Sequence, residues 1–294
     1  MRIAVVVNPA ARSGAHTQTA DRAARRLREH GHTVTAISGG SAEETSALIR
    51  EALGAGADAL GVVGGDGTVN LAAQELAGTG VPLGVIPAGS GNDLAAHLGI
   101  PALRPEQAAD IIDAGHTRTI DLARLTRADG SSRLYTTVLA SGFDSAVNDR
   151  ANRMRWPRGE ARYNLAILLE FLGLRSIPFT LEVDGEHVDG PLVMASVGNT
   201  PAYGGGIPIC PAADAEDGLL DVTIVRPRGR LRLLQLLPTV YRGTHVDRPE
   251  VETFQGRQVT LRAHGVTAYA DGDPIAALPV QIEAVPRALT VVVP

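Results

Sequence analysis

The stretch VVGGDGTVN, residues 62–70, sets an acid among three glycines directly behind an apolar run. The run reads as the end of a buried strand, and TVNLAAQELAG as a helix with Thr68 near its N-cap. A strand that leads into a helix N-terminus forms an anion site, because the helix offers unpaired N–H groups and a partial positive charge there. Gly64, Gly65 and Gly67 let main chain approach a ligand closely, so they read as a phosphate cradle. Asp66 would repel a phosphate. It can hold Mg²⁺ or accept a proton from an attacking hydroxyl, which points to phosphoryl transfer; the competing reading is a turn in which Asp caps a helix and nothing more.

Outward from this turn, RIAVVVNP, TVTAIS, ALGVV and PLGVIPAG read as strands. Helices separate them: about 17–30, with Ala20, Ala23, Ala24 and Leu27 on one face, then AEETSALIREALGAG, then the helix after Thr68. Such alternation implies crossover connections and a mostly parallel sheet with helices on both faces. PLGVIPAGSGNDLAAHLG repeats strand, small-residue turn and helix one crossover later, the helix starting near Asn92. Ser90 and Asn92 supply a hydroxyl and an amide there, and Asp93 either caps the helix or faces a metal. Two adjacent cradles would line one crevice outside the carboxyl ends of the strands. GSGNDL is a poor dinucleotide fingerprint, since Leu94 stands where its third glycine would be.

From about Ile120 the pattern changes to short alternating strands with turn dipeptides, interrupted by helical segments at about 160–175 and 230–242. The expected organisation is therefore an α/β domain over 1–120, joined by the C-terminal strand 287–294, and a β-rich antiparallel domain over 121–286.

The chain has 294 residues, a net charge of −5 and 3% aromatics, which gives no basis for nucleic-acid binding. All 27 basic residues are arginine, so lysine Schiff bases and a P-loop lysine are excluded. The single cysteine, Cys210, cannot form an internal disulfide and fits a reducing compartment. MRIAVVVNP is too short for a signal peptide and no apolar run reaches membrane-span length, so the expected location is cytoplasmic. The segment 148–175 holds Arg150, Arg153, Arg155, Arg158, Arg162 and Arg175 beside Trp156 and a leucine-rich stretch. It suits docking on the inner face of an anionic membrane, or a helix packed on the β domain with snorkelling arginines. GFDSAV either shapes an acceptor pocket or is ordinary core, and the glycines 204–206 form a tight loop.

VVVNPAARSG, VVGGDGTVN and IPAGSGNDLA, in this order and spacing, resemble the diacylglycerol kinase catalytic domain family, which includes bacterial soluble lipid kinases and sphingosine and ceramide kinases. CPAADAEDGLLDV and AYADGDPI look like its C-terminal motifs, so the resemblance covers nearly the whole chain. The fold it implies is an NAD kinase/diacylglycerol kinase-like α/β domain followed by an antiparallel β-sandwich. The activity it implies is transfer of the γ-phosphoryl group of ATP to a diacylglycerol-like lipid hydroxyl. The family places ATP between the two domains, on positions that here are Asn8, Ser38, Gly64, Gly65, Asp66, Gly67, Thr68, Val69, Asn70 and Ser90. Relatives carry a structural Mg²⁺ that here would fall on Asp214, Asp217 and the carbonyl of Leu219, in a loop that also offers Glu216 and Asp221. The family's base-bearing motif usually ends in glutamate. Here it is Asp271-Gly272-Asp273, which leaves Asp66, Asp271 and Asp273 all open as the base. A lipid substrate would be met by transient membrane association; a homodimer is left open. Two other readings remain: an NAD kinase-like enzyme with a soluble acceptor, and a non-catalytic nucleotide- or lipid-binding regulator.

Overall fold

The computed structural model describes residues 1–7, 14–100, 104–154, 156–157 and 160–294. They form two compact units, Met1–Leu122 with Pro286–Pro294, and Ala123–Val285. Asn8, Arg155 and Arg158 lie outside the described residues.

The first unit runs β1 (Arg2–Val7), α1 (Gly14–Glu29), β2 (Thr33–Ile37), α2 (Ala42–Gly54), β3 (Ala59–Gly64), α3 (Asp66–Leu76), β4 (Leu83–Pro87), α4 (Asp93–His97) and α5 (Pro105–Ala114). Strands β2, β1, β3 and β4 lie side by side in that order, all parallel. The apolar runs of β1, β3 and β4 are buried on both faces, as a parallel sheet covered by helices requires, while the edge strand β2 is largely exposed. On one face α1 seats Ala20, Ala23 and Leu27 against Ile3, Val5 and Val63, beside Ala108, Ala109 and Ile112 of α5. The outer seam of α1 and α5 is closed by Arg22–Glu106 and Arg26–Asp110, each at 2.6 Å, and by His30 Nε2 on Asp110 at 2.8 Å. Two details depart from the sequence reading. Gly65, not Thr68, is the N-cap of α3, and the helix after Asn92 is a single short turn-and-a-half, with α5 following separately.

The second unit continues with β5 (Thr117–Arg127), β6 (Ser132–Tyr135), β7 (Val138–Gly142), α6 (Phe143–Arg153), α7 (Glu160–Leu172), β8 (Ile177–Val183), β9 (Glu186–Leu192), β10 (Met194–Gly198), β11 (Leu220–Val225), α8 (Arg230–Val240), β12 (Val251–Gly256), β13 (Gln258–Ala263), β14 (Thr267–Ala270), β15 (Asp273–Ala277) and β16 (Val280–Val292). The chain crosses from one unit to the other inside β5 and again inside β16. The last residues of β16 therefore join the first unit, where Val291 pairs with Leu83 in parallel. In the second unit β12, β11, β10, β7, β14 and β15 make one antiparallel sheet. A second layer comprises β16, β13, β8 and β9, with the β5–β6 hairpin. Tyr135, Leu139, Leu181, Val197, Val222, Leu261 and Ile282 from both layers meet in one core, which makes the unit a β-sandwich. RLYTTVLASG is two strands rather than one, broken at Thr136 and Thr137. GFDSAVNDRANR opens a helix, α6, because Gly142 takes φ 86 and turns the chain where a Cβ would meet Val193 O at 2.6 Å.

Candidate active site

Because β2, β1, β3 and β4 are parallel and in register, their carboxyl ends share one edge, with Val6 beside Ile37, Val7 beside Val63 and Gly64 beside Pro87. Ser38 lies on that edge, exposed just after β2, and so do the turns 64–67 and 88–92. These two turns touch through main chain. Ala88 N donates to Gly64 O at 2.9 Å, a Cβ on Gly65 would stand 3.0 Å from Gly89 Cα, and a Cβ on Gly89 would run into Gly65 Cα. Any side chain at either glycine would force the loops apart. The second turn is held by Asn92, in the left-handed region at φ 57: its Oδ1 accepts from Gly89 N at 2.9 Å and its Nδ2 donates to Gly89 O at 2.7 Å. Asn92 thus builds the loop, and Ser90 is the exposed hydroxyl on it.

Asp66 is the first residue of α3, ahead of Thr68 and Val69, whose N–H groups donate to Gly65 O at 3.0 and 3.1 Å. A Cβ on Gly91 would stand 2.6 Å from Asp66 Oδ2 and 3.2 Å from Asp93 Oδ2, so two carboxylates close on one glycine. Leu94 N donates to Asp66 Oδ1 at a long 3.4 Å. Thr68, Val69 and Asn70 are buried instead. Thr68 fills the space beneath Gly64, where a Cβ would meet it at 2.7 Å, and Asn70 Oδ1 accepts from Gln74. Within 64–70, the side-chain surface open to a ligand is therefore Gly65, Asp66 and Gly67.

In the second unit, Asp271 and Gly272 are the two central residues of the β14–β15 hairpin turn, both at positive φ. Asp271 is buried. It accepts hydrogen bonds from Thr136 N at 2.9 Å, Thr136 Oγ1 at 3.1 Å, Thr137 N at 3.1 Å and Thr137 Oγ1 at 2.6 Å. That explains the break between β6 and β7: the two threonines leave the ladder to face this carboxylate. With its two oxygens engaged by four donors, Asp271 is a structural clamp. Asp273, two residues on, is exposed.

The acidic loop is a series of turns. Asp214 Oδ1 accepts from Glu216 N at 3.0 Å, Asp217 Oδ1 from Leu219 N at 2.8 Å, and Gln255 Nε2 spans Asp217 and Asp221. Burial raises the Asp221 pKa, and Asp217 and Asp214 raise it further. The loop has the negative field a hard cation favours. Among the described residues, however, no three acidic, His or Cys side chains converge as a metal cluster.

One group was not singled out by its sequence. Asp144, in the first turn of α6, opens on an apolar cavity of about 70 Å³ lined by Phe143, Phe171, Met194, Leu233 and Leu236. Burial pushes its pKa up to about 6, against the Tyr203 hydroxyl, whose Oη donates to Oδ2 at 2.5 Å, and the nearby Ser196 hydroxyl, which both lower it. The GFDSAV segment held the clue, but a lone Asp in an ordinary apolar setting carries no sequence signature. Cys210 is buried, its thiol pushed up to about 12 by desolvation, so it is packing rather than a nucleophile.

Comparison with known proteins follows the same division. Residues 2–125 match the diacylglycerol kinase catalytic domain, and residues 137–293 the YegS C-terminal NAD kinase beta sandwich-like domain. A diacylglycerol kinase of Mycobacterium tuberculosis is 47% identical over 294 residues, all of this chain and 95% of its own. A Pseudomonas fluorescens protein named "Probable lipid kinase YegS-like" is 31% identical over 86% of this chain and 83% of its own. Among solved structures, a diacylglycerol kinase of Bacillus anthracis superposes with TM-score 0.77 at 22% identity, over 100% of this chain and 97% of that one. An NAD kinase of Archaeoglobus fulgidus in complex with ATP superposes with TM-score 0.54 at 16% identity, over 99% and 93%. At these identities the two structures establish a shared fold.

Proposed function

Since the chain belongs to the diacylglycerol kinase family, with a YegS-type C-terminal domain, we propose that it transfers the γ-phosphoryl group of ATP to the hydroxyl of a diacylglycerol-like lipid. The observation that carries this reading is the pair of loops at 64–67 and 88–92, which meet glycine to glycine with Asp66 at the head of α3. Phosphoryl transfer asks a protein mainly for positioning and charge neutralisation. Main-chain N–H groups of the loops and of the first turn of α3 would cradle the phosphates, and the Ser38 and Ser90 hydroxyls lie on the same edge. Asp66 and Asp93 are the residues that would hold Mg²⁺ travelling with the nucleotide, and the cation would neutralise charge on the β- and γ-phosphates.

Asp273 is the residue we assign as base. It is exposed, whereas Asp271 beside it is saturated with hydrogen bonds. The acceptor hydroxyl would give its proton to this carboxylate as its oxygen bonds to the γ-phosphorus, and the bond to the β-phosphate oxygen breaks to release ADP. The cavity beside Asp144 would receive an apolar portion of the acceptor.

The test offers radiolabelled ATP and Mg²⁺ to the chain with diacylglycerol in mixed micelles and, separately, with NAD⁺. Label in the organic phase, dependent on the micellar lipid, is the expected result. Label on NAD⁺ alone would mean a soluble acceptor, and nucleotide binding without turnover would mean a regulator; either outcome refutes the proposal.

A further inference from the structure

Two of the six arginines that drew attention in the sequence are paired within the fold. Arg150 is paired with Glu170, and Arg153 with Asp149 at 2.9 Å. A run of arginines without ion pairs among the described residues lies around α8. Residues 222–246 contain five arginines and no acid. Only Arg226 is paired, with Glu252 at 2.9 Å; Arg228, Arg230, Arg232 and Arg242 make no ion pair with a described residue.

α8 is apolar on two opposite faces. Leu233, Leu236 and Val240 point inward, packing with Phe171 and Leu174 from the end of α7. Leu231, Leu234, Pro238 and Tyr241, spaced i, i+3, i+7 and i+10, form a second stripe on the solvent side. Leu231 is 70% exposed, Leu234 50% and Tyr241 55%. At 100° per residue, Arg230 borders this stripe on one side and Arg232 lies 100° beyond Leu231 on the other. α7, which shares the inner cluster, adds Leu168 and Leu172, 53% and 61% exposed. No helix among the described residues is long and apolar enough to cross a membrane.

We propose that the outer face of α8, together with that of α7, is a docking surface for an anionic lipid bilayer, with α8 lying in the interfacial plane. Leucines would enter the acyl boundary while arginines on both flanks meet lipid phosphates, the arrangement that suits a helix lying on a membrane. Charge selects this occupant. A second copy of the chain packed α8 to α8 would set these arginines against their own like charges, since 222–246 carries no acid. A nucleic acid would satisfy the arginines but leave the leucine stripe in water. The inference is independent of the kinase reading.

The test is flotation of the full chain with vesicles of phosphatidylcholine alone and of phosphatidylcholine mixed with phosphatidylglycerol. Neither contains diacylglycerol, so binding reads the surface and not the acceptor site. Binding should require phosphatidylglycerol and weaken with salt. Leu231→Ser and Leu234→Ser should each weaken it about tenfold, and Arg230→Gln and Arg232→Gln each roughly fivefold. These side chains are exposed, so the variants should keep the native circular dichroism; if a leucine variant misfolds, the arginine pair and Leu168→Ser report on the same surface. Absence of binding to the anionic vesicles, or binding indifferent to the leucines, overturns the proposal. So does a leucine-dependent dimer that ignores vesicles, or a preference for duplex oligonucleotide over vesicles.

Discussion

Of the turns that put aspartate beside glycine, two use it in opposite ways. At Gly65-Asp66-Gly67 the acid opens a helix, faces a second glycine loop and shares its surroundings with another carboxylate, Asp93. At Asp271-Gly272-Asp273 the first acid is buried in a hairpin turn and clamped by four donors from Thr136 and Thr137. The motif letters are nearly the same. What differs is what surrounds the acid: Asp66 lies close to another carboxylate, while Asp271 is ringed by N–H and O–H groups that hold a strand break. The largest expected effect breaks the first turn. Asp66→Asn keeps the size of the side chain and an acceptor for Leu94 N, yet removes the charge. Turnover should fall on the order of 10³-fold or more, with the melting temperature within about 2 °C of the parent. Full turnover in that variant would remove Asp66 from the reaction.

The second turn supplies a sharper comparison within itself. Asp271→Asn preserves the tolerance for positive φ but sets an amide donor against the Thr136 or Thr137 N–H, so it should cost about 2–3 kcal/mol of stability. Asp273→Asn should leave stability within about 0.5 kcal/mol, since its side chain is exposed, and lower kcat on the order of 10²-fold. Denaturation midpoints and single-turnover rates measured on both variants settle the assignment. If Asp271→Asn is stable and inactive while Asp273→Asn turns over normally, the roles are reversed.

Much of this arrangement was legible in the chain because its causes are local. Strand–helix alternation and the two glycine turns announce a parallel sheet with an anion-binding edge, and β1, β3, α3 and β4 stand where that pattern puts them. The change to short alternating strands near Ile120 announces the sandwich. What local pattern could not show depends on distant partners. Nothing in RLYTTVLASG says that Thr136 and Thr137 will leave the strand for a carboxylate 135 and 134 residues away. The pairing of Arg150 with Glu170 likewise depends on how α6 and α7 pack, so the sequence alone does not show which arginines of a basic run carry free charge. Asp144 was hidden for the same reason: apart from Phe143, its apolar walls come from α7, β10, β11 and α8 and the segments beside them, far from it in sequence.

Asp144 extends the comparison to a third environment, with neither a second carboxylate nor a ring of donors, only Tyr203 and Ser196 against apolar walls. The consequence has a definite sign. Burial raises its folded-state pKa to about 6, above the ordinary 3.8, so the folded chain binds this proton more tightly than the unfolded one. Stability linked to this group is then greatest below about pH 4, declines as pH rises through the window up to about 6, and is flat above it. The ionised carboxylate costs the folded state about 2–3 kcal/mol near neutrality. Asp144→Asn removes that cost and keeps an acceptor for Tyr203 Oη. The variant should melt a few degrees higher near pH 7, match the parent near pH 4, and lack the parent's slope between them. If the parent and the variant share the same slope, the carboxylate is already ionised in the cavity. Asp144 would then belong with Asp66, as an acid whose charge the molecule puts to use, and not with Asp271, whose charge is spent on structure.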